Sequence, residues 1–325
     1  MRLALIALLL CSSFPAHAAP PRPLEVGRGE RLLVIAPHPD DETIAAGGLI
    51  QRVRALGGEV RIVLVTAGDG FIEAVAHETG SPQPRPAAFV AYGELRLREA
   101  RAVVRALAPD HVRLEILGFP DGGLDGLLEA HWWRSQPERS RFTGATDPPY
   151  AQALEPDVPY DGDDLRRELE RIIAETRPTI VVLPDPLDRH PDHRASGLFT
   201  LLAVRDWAEK RPKHDWPQLL AYLVHWPGWP PGWDAALPIC HPDQGLDLPK
   251  TFKRHGRRVV LPLTAAEAAT KQAAMQRYVT QQEAMGSVLA GFVRCTEPFT
   301  ELDVKETERV AELIEKGIGK APHRR

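Results

Sequence analysis

Two short clusters of histidine and aspartate have the residue types and spacing needed to bind a metal ion. The first reads His-Pro-Asp-Asp-Glu at 38–42 and directly follows an apolar run. Imidazole nitrogen and carboxylate oxygen are ligands that zinc and similar divalent ions accept. His38 and Asp41 can converge on one cation, which leaves Asp40 beside the metal. The alternative is helix capping by an aspartate, a task for which one carboxylate would suffice.

The second cluster reads His-Pro-Asp-His at 190–193 and follows another apolar run, in a loop stiffened by proline. Two histidines three residues apart can direct one ring to a metal and the other to a substrate. Together the clusters supply two histidines and one carboxylate with an open coordination position, which is typical of catalytic rather than structural zinc. The same ligands also accept Fe²⁺ or Co²⁺.

The elements around these clusters alternate between strand and helix. Apolar runs predict strands at 32–36, 60–66, 112–117, 179–183 and 219–225, and amphipathic patterns predict helices at 42–56, 92–107, 163–176 and 194–210. This alternation predicts an α/β fold with a mostly parallel sheet and helices on both faces. Such sheets bind ligands in the loops at the carboxyl ends of their strands, where both clusters lie. The long loops 68–91 and 120–161 are candidate walls of a site.

Composition and charge narrow the class of protein. The chain has 325 residues, of which 43% are hydrophobic and 26% charged, as in ordinary globular proteins. A net charge of −4 without a basic run argues against a nucleic-acid partner. Residues 1–18 resemble a signal peptide, with Arg2 before a short apolar run and a small-x-small cleavage site, so we expect export to a periplasm or the medium. No other segment predicts a transmembrane helix.

The motifs as a set resemble those of the LmbE-like, or PIG-L, family of metal-dependent deacetylases, which remove N-acetyl groups from glucosamine-containing compounds. The resemblance rests on the two clusters at 38–42 and 190–193. Weaker matches occur at 66–70, 96–99, 118–123 and 271–282. It covers roughly residues 31–285 and implies a Rossmann-like fold. We therefore divide the chain into a signal peptide at 1–18, a linker at 19–30, a single deacetylase domain at 31–316 and a flexible tail at 317–325.

The resemblance also implies how the metal is held and how water is activated. It makes His38, Asp41 and His193 the metal ligands and Asp40 the general base. Zinc would lower the pKa of its bound water to about 7 and polarise the amide carbonyl. A positioned base would add roughly 10²- to 10⁴-fold in rate.

Three further roles follow from the same resemblance. His190 would stabilise the tetrahedral intermediate and protonate the leaving amine. Asp192 would orient His190 and keep it protonated. Arg96 would contact the substrate, with Arg98 as the alternative aligned residue. Asp121, in a glycine-rich segment, is expected to shape a turn and not to bind the metal.

Two features outside the motifs leave alternatives open. The segment 226–233 carries three tryptophans between prolines and glycines, and it could pack as a hydrophobic plug or present Trp229 to a sugar ring. Cys240 and Cys295 remain after signal removal, and in an oxidising compartment they could form a disulfide.

The sequence as a whole predicts a zinc-dependent hydrolase that removes an N-acetyl group from an N-acetylglucosamine-containing sugar or glycoconjugate. One alternative is an exported metal amidohydrolase that acts on another N-acyl substrate. The other is a non-catalytic carbohydrate-binding protein on the same scaffold. A binding protein would need neither a general base nor the groups at 190 and 192, which favours the enzyme.

Overall fold

The computed structural model describes residues 20–318 except 111, 210, 237 and 255. Its centre is one sheet of eight strands in the order β1-β7-β8-β6-β5-β2-β3-β4. All neighbouring strands run parallel except the pairs β6–β8 and β7–β8. The strands are β1 (Arg22–Pro23), β2 (Arg31–Ala36), β3 (Glu59–Thr66), β4 (Val112–Phe119), β5 (Ile180–Pro184), β6 (Gln218–Tyr222), β7 (Arg257–Pro262) and β8 (Thr296–Leu302).

Nine α-helices of the described chain pack in two groups around this sheet. One group includes α1, α3 and α7, which contact one another, and the other includes α5, α6 and α9, in which α6 contacts both partners. The helices are α1 (Asp41–Ala55), α2 (Ile72–Thr79), α3 (Pro86–Leu107), α4 (Leu124–Glu129), α5 (Gly162–Thr176), α6 (Pro191–Ala208), α7 (Ala265–Met275), α8 (Val279–Gly291) and α9 (Val304–Ile318). The predicted α/β class with a mostly parallel sheet is confirmed.

The five predicted strands are present, and their bounds shift by one to three residues. They correspond to β2, β3, β4, β5 and β6. The central strands are buried almost throughout, as the continuous apolar runs required. The sequence did not predict β7 and β8. Strand β8 pairs antiparallel with both β6 and β7, so these two strands extend the sheet beyond β6. Residues 22–23, assigned to a linker, form β1 and pair with β7.

The site lies at the switch point of the strand order. From β2 the chain continues outward to β3 and β4, whereas β5 and β6 lie on the other side of β2. Strands β2 and β5 are parallel neighbours with Val34 opposite Val182, so the loops that follow them emerge at the same edge of the sheet. Ligands of open α/β sheets bind in the crevice at such a point. The fold therefore brings the two clusters together.

Three expectations concern the termini and the cysteines. Helix α9 runs to Ile318, so residues 317 and 318 continue a helix, while 1–18 and 319–325 lie outside the described residues. Cys240 and Cys295 are both free thiols, each partly buried, and form no disulfide in the structure. Across the described ranges, no helix is long and apolar enough to cross a membrane.

Candidate active site

The loop after β2 holds Asp40 in an unusual backbone conformation directly before helix α1. Its φ is 128° and its ψ is −32°, a region that non-glycine residues rarely adopt. The Asp40 carbonyl accepts the N–H groups of Thr43 and Ile44, which start the helix. The Glu42 carboxylate accepts the Asp40 N–H at 3.2 Å. Strained residues of this kind persist only where their surroundings fix them, and they concentrate at functional sites.

The three predicted ligands meet around one carboxylate oxygen. Asp41 Oδ2 lies 3.2 Å from His38 Nδ1 and 3.1 Å from His193 Nε2. A tetrahedral zinc with bonds of 2.0–2.1 Å places its ligand atoms about 3.3 Å apart. Both ring nitrogens of His193 are buried without a hydrogen-bond partner among the described residues. Because a buried polar atom rarely stays unpaired, the donor set fits a divalent ion.

The second ring nitrogen of His38 faces two more carboxylates. His38 Nε2 lies 3.2 Å from Asp192 Oδ2 and 3.3 Å from Asp121 Oδ1. Burial alone would lower the pKa of His38, but the carboxylates of Asp121, Asp192 and Asp41 outweigh it and raise the pKa well above its usual value. A metal-bound histidine commonly donates its other N–H to a carboxylate, which fixes the ring. The three side chains His38, Asp121 and Asp192 also lie close enough to hold an ion themselves.

The structure corrects the expected pairing of Asp192 with His190. The Asp192 carboxylate contacts His38 and accepts the N–H groups of Gly122 and Leu124 at 2.7 and 3.2 Å. It is the backbone N–H of Asp192 that donates to His190 Nδ1, at 3.2 Å. This contact makes His190 the N-cap of helix α6. Asp192 therefore orients the His38 ring with its side chain and the His190 ring with its backbone.

His190 is also a neutral donor in this geometry, not the protonated group that was expected. Its Nδ1 accepts a hydrogen bond, so the proton of the neutral ring resides on Nε2. Burial and the nearby imidazoles of His38 and His193 lower the pKa of His190 far below its usual value. A neutral N–H still stabilises a developing oxyanion when it is positioned in advance.

Arg96 holds Asp40 and also lines the cavity, so its expected contact with a substrate stays a prediction. Its guanidinium donates to the Gly68 carbonyl at 2.7 Å, to the Pro39 carbonyl at 2.7 Å and to Asp40 Oδ2 at 3.1 Å. Arg96 is only 4% exposed, whereas Arg98 is exposed on the surface of α3. Burial raises the pKa of Asp40 to about 8, although Arg96 opposes the shift.

Asp188 organises the histidines of the site, and the sequence did not single it out. Its Oδ1 accepts the His190 N–H at 2.9 Å, and its Oδ2 accepts those of Val224 and His225 at 2.9 and 3.0 Å. Its Oδ2 also lies 3.6 Å from His193 Nδ1. The sequence feature that could have identified Asp188 was its position at the carboxyl end of β5, two residues before the second cluster.

His225 also enters the site, although nothing in its sequence context distinguished it. Its ring centroid lies 4.8 Å from that of His190 and 4.6 Å from that of His193. Burial lowers the pKa of His225 to about 4. Its position three residues after β6 would have identified it, because β6 is parallel to β5 and the loops after both strands share one edge.

A cavity of about 340 Å³ opens above these residues. Its deep end is formed by polar side chains of the two clusters with Arg96, Asp121 and His225. Its outer half is formed by the loop after β3, the first residues of α2, the segment 141–142 and Met285 of α8. Asp121 therefore lines the cavity and contacts His38, in addition to shaping the turn that was expected of it.

Trp229 does not line this cavity, so the structure does not support the expectation that it contacts a sugar. It is 7% exposed, and its ring packs edge-on against Phe292 with centroids 4.9 Å apart. Its indole N–H donates to the Asp247 carbonyl at 3.0 Å. These contacts match the plug alternative, in which Trp229 is packed against Phe292, the residue directly after α8.

Comparison with known proteins identifies the family of this chain. Residues 33–204, just over half of the chain, match the family model described as PIG-L: GlcNAc-PI de-N-acetylase. The chain belongs to the PIG-L family. The matched range includes both clusters, Arg96, Asp121 and Asp188, whereas His225 and the strands β7 and β8 lie beyond it.

Several similar proteins of known name are deacetylases. The chain is 28% identical over 270 residues to a 1D-myo-inositol 2-acetamido-2-deoxy-alpha-D-glucopyranoside deacetylase from Salinispora arenicola, covering 77% of this chain and 76% of the relative. It is 29% identical over 178 residues to a diacetylchitobiose deacetylase from Thermococcus kodakarensis, covering 54% of this chain and 49% of the relative. The crystal structure of the N,N'-diacetylchitobiose deacetylase from Pyrococcus horikoshii has the same fold, with a TM-score of 0.50 at 18% identity over 84% of each chain.

Proposed function

We propose that this protein is a zinc-dependent hydrolase that removes the N-acetyl group from an N-acetylglucosamine-containing sugar or glycoconjugate. Family membership and the names of the relatives support the reaction type and the sugar. The observation that carries the proposal is the position of Asp40. The strained, buried Asp40 carboxylate is held by Arg96, and Asp40 lines the cavity together with His38 and Asp41, two of the proposed ligands.

His38, Asp41 and His193 would hold the ion, which supplies an acidified water and polarises the amide carbonyl when bound. Arg96 holds the Asp40 carboxylate beside those ligands. The role of Asp40 is to accept the proton of the attacking water. His190 presents its Nε2–H to the carbonyl oxygen as negative charge develops there. Because His190 is neutral, Asp40 returns the proton to the leaving amine.

Exchange of Asp40 for Asn tests this proposal. We expect the zinc-loaded Asp40→Asn variant to bind one zinc per chain, since Asp40 is not a ligand, and to release acetate from methyl N-acetylglucosaminide at least about 100-fold more slowly than the wild type. Asp157→Asn, on an exposed loop, is the matched control and keeps the wild-type rate. Acetate release and metal content are measured on the same preparations. A wild-type rate in Asp40→Asn would contradict the role of Asp40.

The other two hypotheses give different outcomes in the same assay. A metal amidohydrolase for another N-acyl group would bind zinc but release no acetate from any N-acetylated sugar. A non-catalytic binding protein would bind the sugars and leave them intact. The Asp40–Arg96 contact favours the enzyme, because a binding protein has no use for a strained, buried base.

We also propose that the protein is exported, on the basis of the signal-like sequence at 1–18. If the segment is cleaved, the intact mass of the protein secreted by its host would match a chain that starts at residue 19. A mass that retains residues 1–18 would contradict export by this route.

A further inference from the structure

The loop after β3 holds the proposed base through one backbone carbonyl. The Gly68 carbonyl accepts a hydrogen bond from the Arg96 guanidinium at 2.7 Å, and Arg96 donates to Asp40 Oδ2 at 3.1 Å. Gly68 has a φ of 64°, and a Cβ there would overlap Arg96 Nη1. Glycine suits this approach because it accepts a positive φ and has no side chain. The position of Asp40 therefore depends on the position of Gly68.

The same loop supports a proposed metal ligand through a backbone N–H two residues later. The Gly70 N–H donates to Asp121 Oδ2 at 2.6 Å, and Asp121 Oδ1 lies 3.3 Å from His38 Nε2. A carboxylate behind a metal-bound histidine fixes the ring and raises its basicity as a ligand. A shift of Gly70 would therefore move the carboxylate that supports His38.

Asp69 lies between these two glycines and is anchored by a residue from a distant loop. Its side chain is buried, and its Oδ2 accepts the hydroxyl of Tyr150, which is itself 1% exposed. Asp69 Oδ1 has no hydrogen-bond partner among the described residues. Burial and the neighbouring Asp121 carboxylate raise the pKa of Asp69 to about 7. A buried carboxyl group beside another needs a hydrogen-bond donor, and the Tyr150 hydroxyl supplies it.

Two glycines leave room for the Tyr150 ring in this position. A Cβ on Gly93 would overlap the Tyr150 hydroxyl oxygen, and one on Gly118 would lie 3.2 Å from Tyr150 Cδ2. Gly93 lies inside α3, where glycine is a less favourable residue than alanine. The approach of the hydroxyl gives this helix glycine a physical reason, because any side chain there would push Tyr150 away from Asp69.

We propose that Tyr150 is a positioning residue: through Asp69 it holds the segment 68–70, and with that segment both the proposed base and the carboxylate behind His38. The inference rests on the proposed deacetylation, and it adds a residue from the long loop before α5 to that site. Tyr150 is buried and does not line the catalytic cavity. Its effect therefore reaches the reaction through the protein and not through contact with the substrate.

Exchange of Tyr150 for Phe tests this inference, because it removes the hydroxyl and keeps the ring. We expect kcat for methyl N-acetylglucosaminide to fall about tenfold with KM within about twofold, since a small misplacement of a catalytic group lowers the rate of the chemical step. The zinc Kd, measured by competition with a chelator, should rise about three- to tenfold, which is less than for loss of a carboxylate that contacts the ligand itself.

Tyr160→Phe is the matched control. Tyr160 belongs to the same loop, is as buried as Tyr150 and donates its hydroxyl to the Gly118 carbonyl at 2.8 Å. The control therefore loses one buried tyrosine hydrogen bond as well, but this bond does not hold the segment 68–70. We expect Tyr160→Phe to keep the wild-type kcat and zinc Kd.

Two further variants separate the hydrogen bond from charge and from folding. Asp69→Asn keeps an oxygen that accepts the Tyr150 hydroxyl, so it should lose less than Tyr150→Phe in both kcat and zinc affinity. Gly93→Ala displaces the hydroxyl in a helix that alanine favours, and it should lower both quantities as Tyr150→Phe does. Gly93→Ala keeps the test valid if Tyr150→Phe does not fold.

Each outcome either supports or overturns the inference. Losses of both kcat and zinc affinity in Tyr150→Phe and Gly93→Ala, with a smaller loss in Asp69→Asn and none in Tyr160→Phe, would support it. Wild-type values in Tyr150→Phe, a change in only one of the two quantities, or an equal loss in Tyr160→Phe or Asp69→Asn would overturn it and leave the deacetylase proposal intact. If the wild type releases no acetate, the proposed function fails. A zinc Kd raised in Tyr150→Phe and not in Tyr160→Phe would then still support the inference, and equal Kd values would overturn it.

Discussion

His38 is the residue on which the two halves of the site converge. Its Nδ1 faces Asp41 within the ligand set, and its Nε2 faces Asp192 and Asp121. Carboxylates behind a metal-bound histidine set its orientation and raise its basicity as a ligand. The second cluster would therefore contribute twice to the proposed metal site, through His193 directly and through Asp192 behind His38.

Exchange of Asp192 for Asn should weaken metal binding. The neutral amide has one oxygen, which can replace only one of the two carboxylate oxygens that accept the N–H groups of Gly122 and Leu124, and it removes the charge beside His38 Nε2. We expect the zinc Kd, measured by competition with a chelator, to rise roughly 10- to 100-fold. Asp163→Asn, near the start of α5, is a control with unchanged zinc affinity. If Asp192→Asn kept the wild-type Kd and altered only the pH dependence of turnover, Asp192 would act through His190, as the sequence had suggested.

The sequence identified which residues form the site better than it identified what each one contacts. Asp192 follows Pro191 in the first turn of α6, so its backbone N–H turns back to His190 while its side chain points toward the loop after β4. For Arg96 the resemblance implied a substrate contact but not its partners in the protein, since the parallel packing of β2 and β3 places the carbonyls of Pro39 and Gly68 around its guanidinium. Contacts of this kind depend on the distance between strands and cannot be read from neighbours in the chain.

Helix α1, which carries Asp41, contains a break that a buried ion pair stabilises. Ala46 has a φ of −138° and a ψ of 18°, so the helix hydrogen bonds are interrupted there. Lys271 donates to the freed Ile44 carbonyl at 2.9 Å, and Glu297 accepts the N–H groups of Gly48 and Leu49 at 2.7 and 2.9 Å. Lys271 and Glu297 contact each other at 2.7 Å and are both 1% exposed. The pair thus replaces the missing backbone bonds on both sides of the break.

Loss of one partner should cost more stability than loss of both. Lys271→Met leaves the Glu297 carboxylate buried without its cation, and we expect the free energy of unfolding to fall by about 3–5 kcal/mol. The double variant Lys271→Met with Glu297→Gln removes both charges and should recover part of that loss. Urea unfolding of the wild type, both single variants and the double variant gives the coupling energy. Additive losses in the two single variants would contradict the role of the pair at the break.

The same break shows the limit of what periodicity predicts for an element. The pattern of 42–56 predicted one helix, and the structure has one with nearly those bounds. The interruption at Ala46 was not predictable, because the side chains that stabilise it come from α7 and β8, more than 200 residues later in the chain. Strands β7 and β8 were missed for a related reason, since they lie at a mixed edge and lack the continuous apolar runs of the central strands.

In the whole molecule, the site is assembled from the ends of five parallel strands. The loops after β2 and β5 carry the two clusters, and those after β3, β4 and β6 supply Gly68, Asp121 and His225. Only the fold class and the rule for parallel sheets were needed to predict that the clusters meet. The shape of the cavity was not predictable, because its outer half depends on how the long loops pack.

The stability of the whole molecule should respond to pH through Glu168, which belongs to neither cluster. Glu168 is 5% exposed in α5, and neither of its carboxylate oxygens has a hydrogen-bond partner among the described residues. Burial raises its pKa to about 8, although Arg171 opposes the shift. The folded state therefore keeps a proton that the unfolded chain releases above about pH 4.5. It follows that Glu168 makes the free energy of unfolding fall as the pH rises from about 4.5 to 8.

Glu168→Gln removes this contribution, because the amide imitates the protonated carboxyl. As the pH rises from 5 to 8, Glu168→Gln should become increasingly more stable than the wild type. The difference in their free energies of unfolding should grow by up to about 1.4 kcal/mol per pH unit. Urea unfolding at several pH values measures it. Glu170→Gln, in the same helix but paired with Arg166 at 3.2 Å, should show no such growth. If the free energies of unfolding of the wild type and Glu168→Gln changed in parallel with pH, the buried carboxyl would be ionised in the folded protein, with Arg171 compensating its charge.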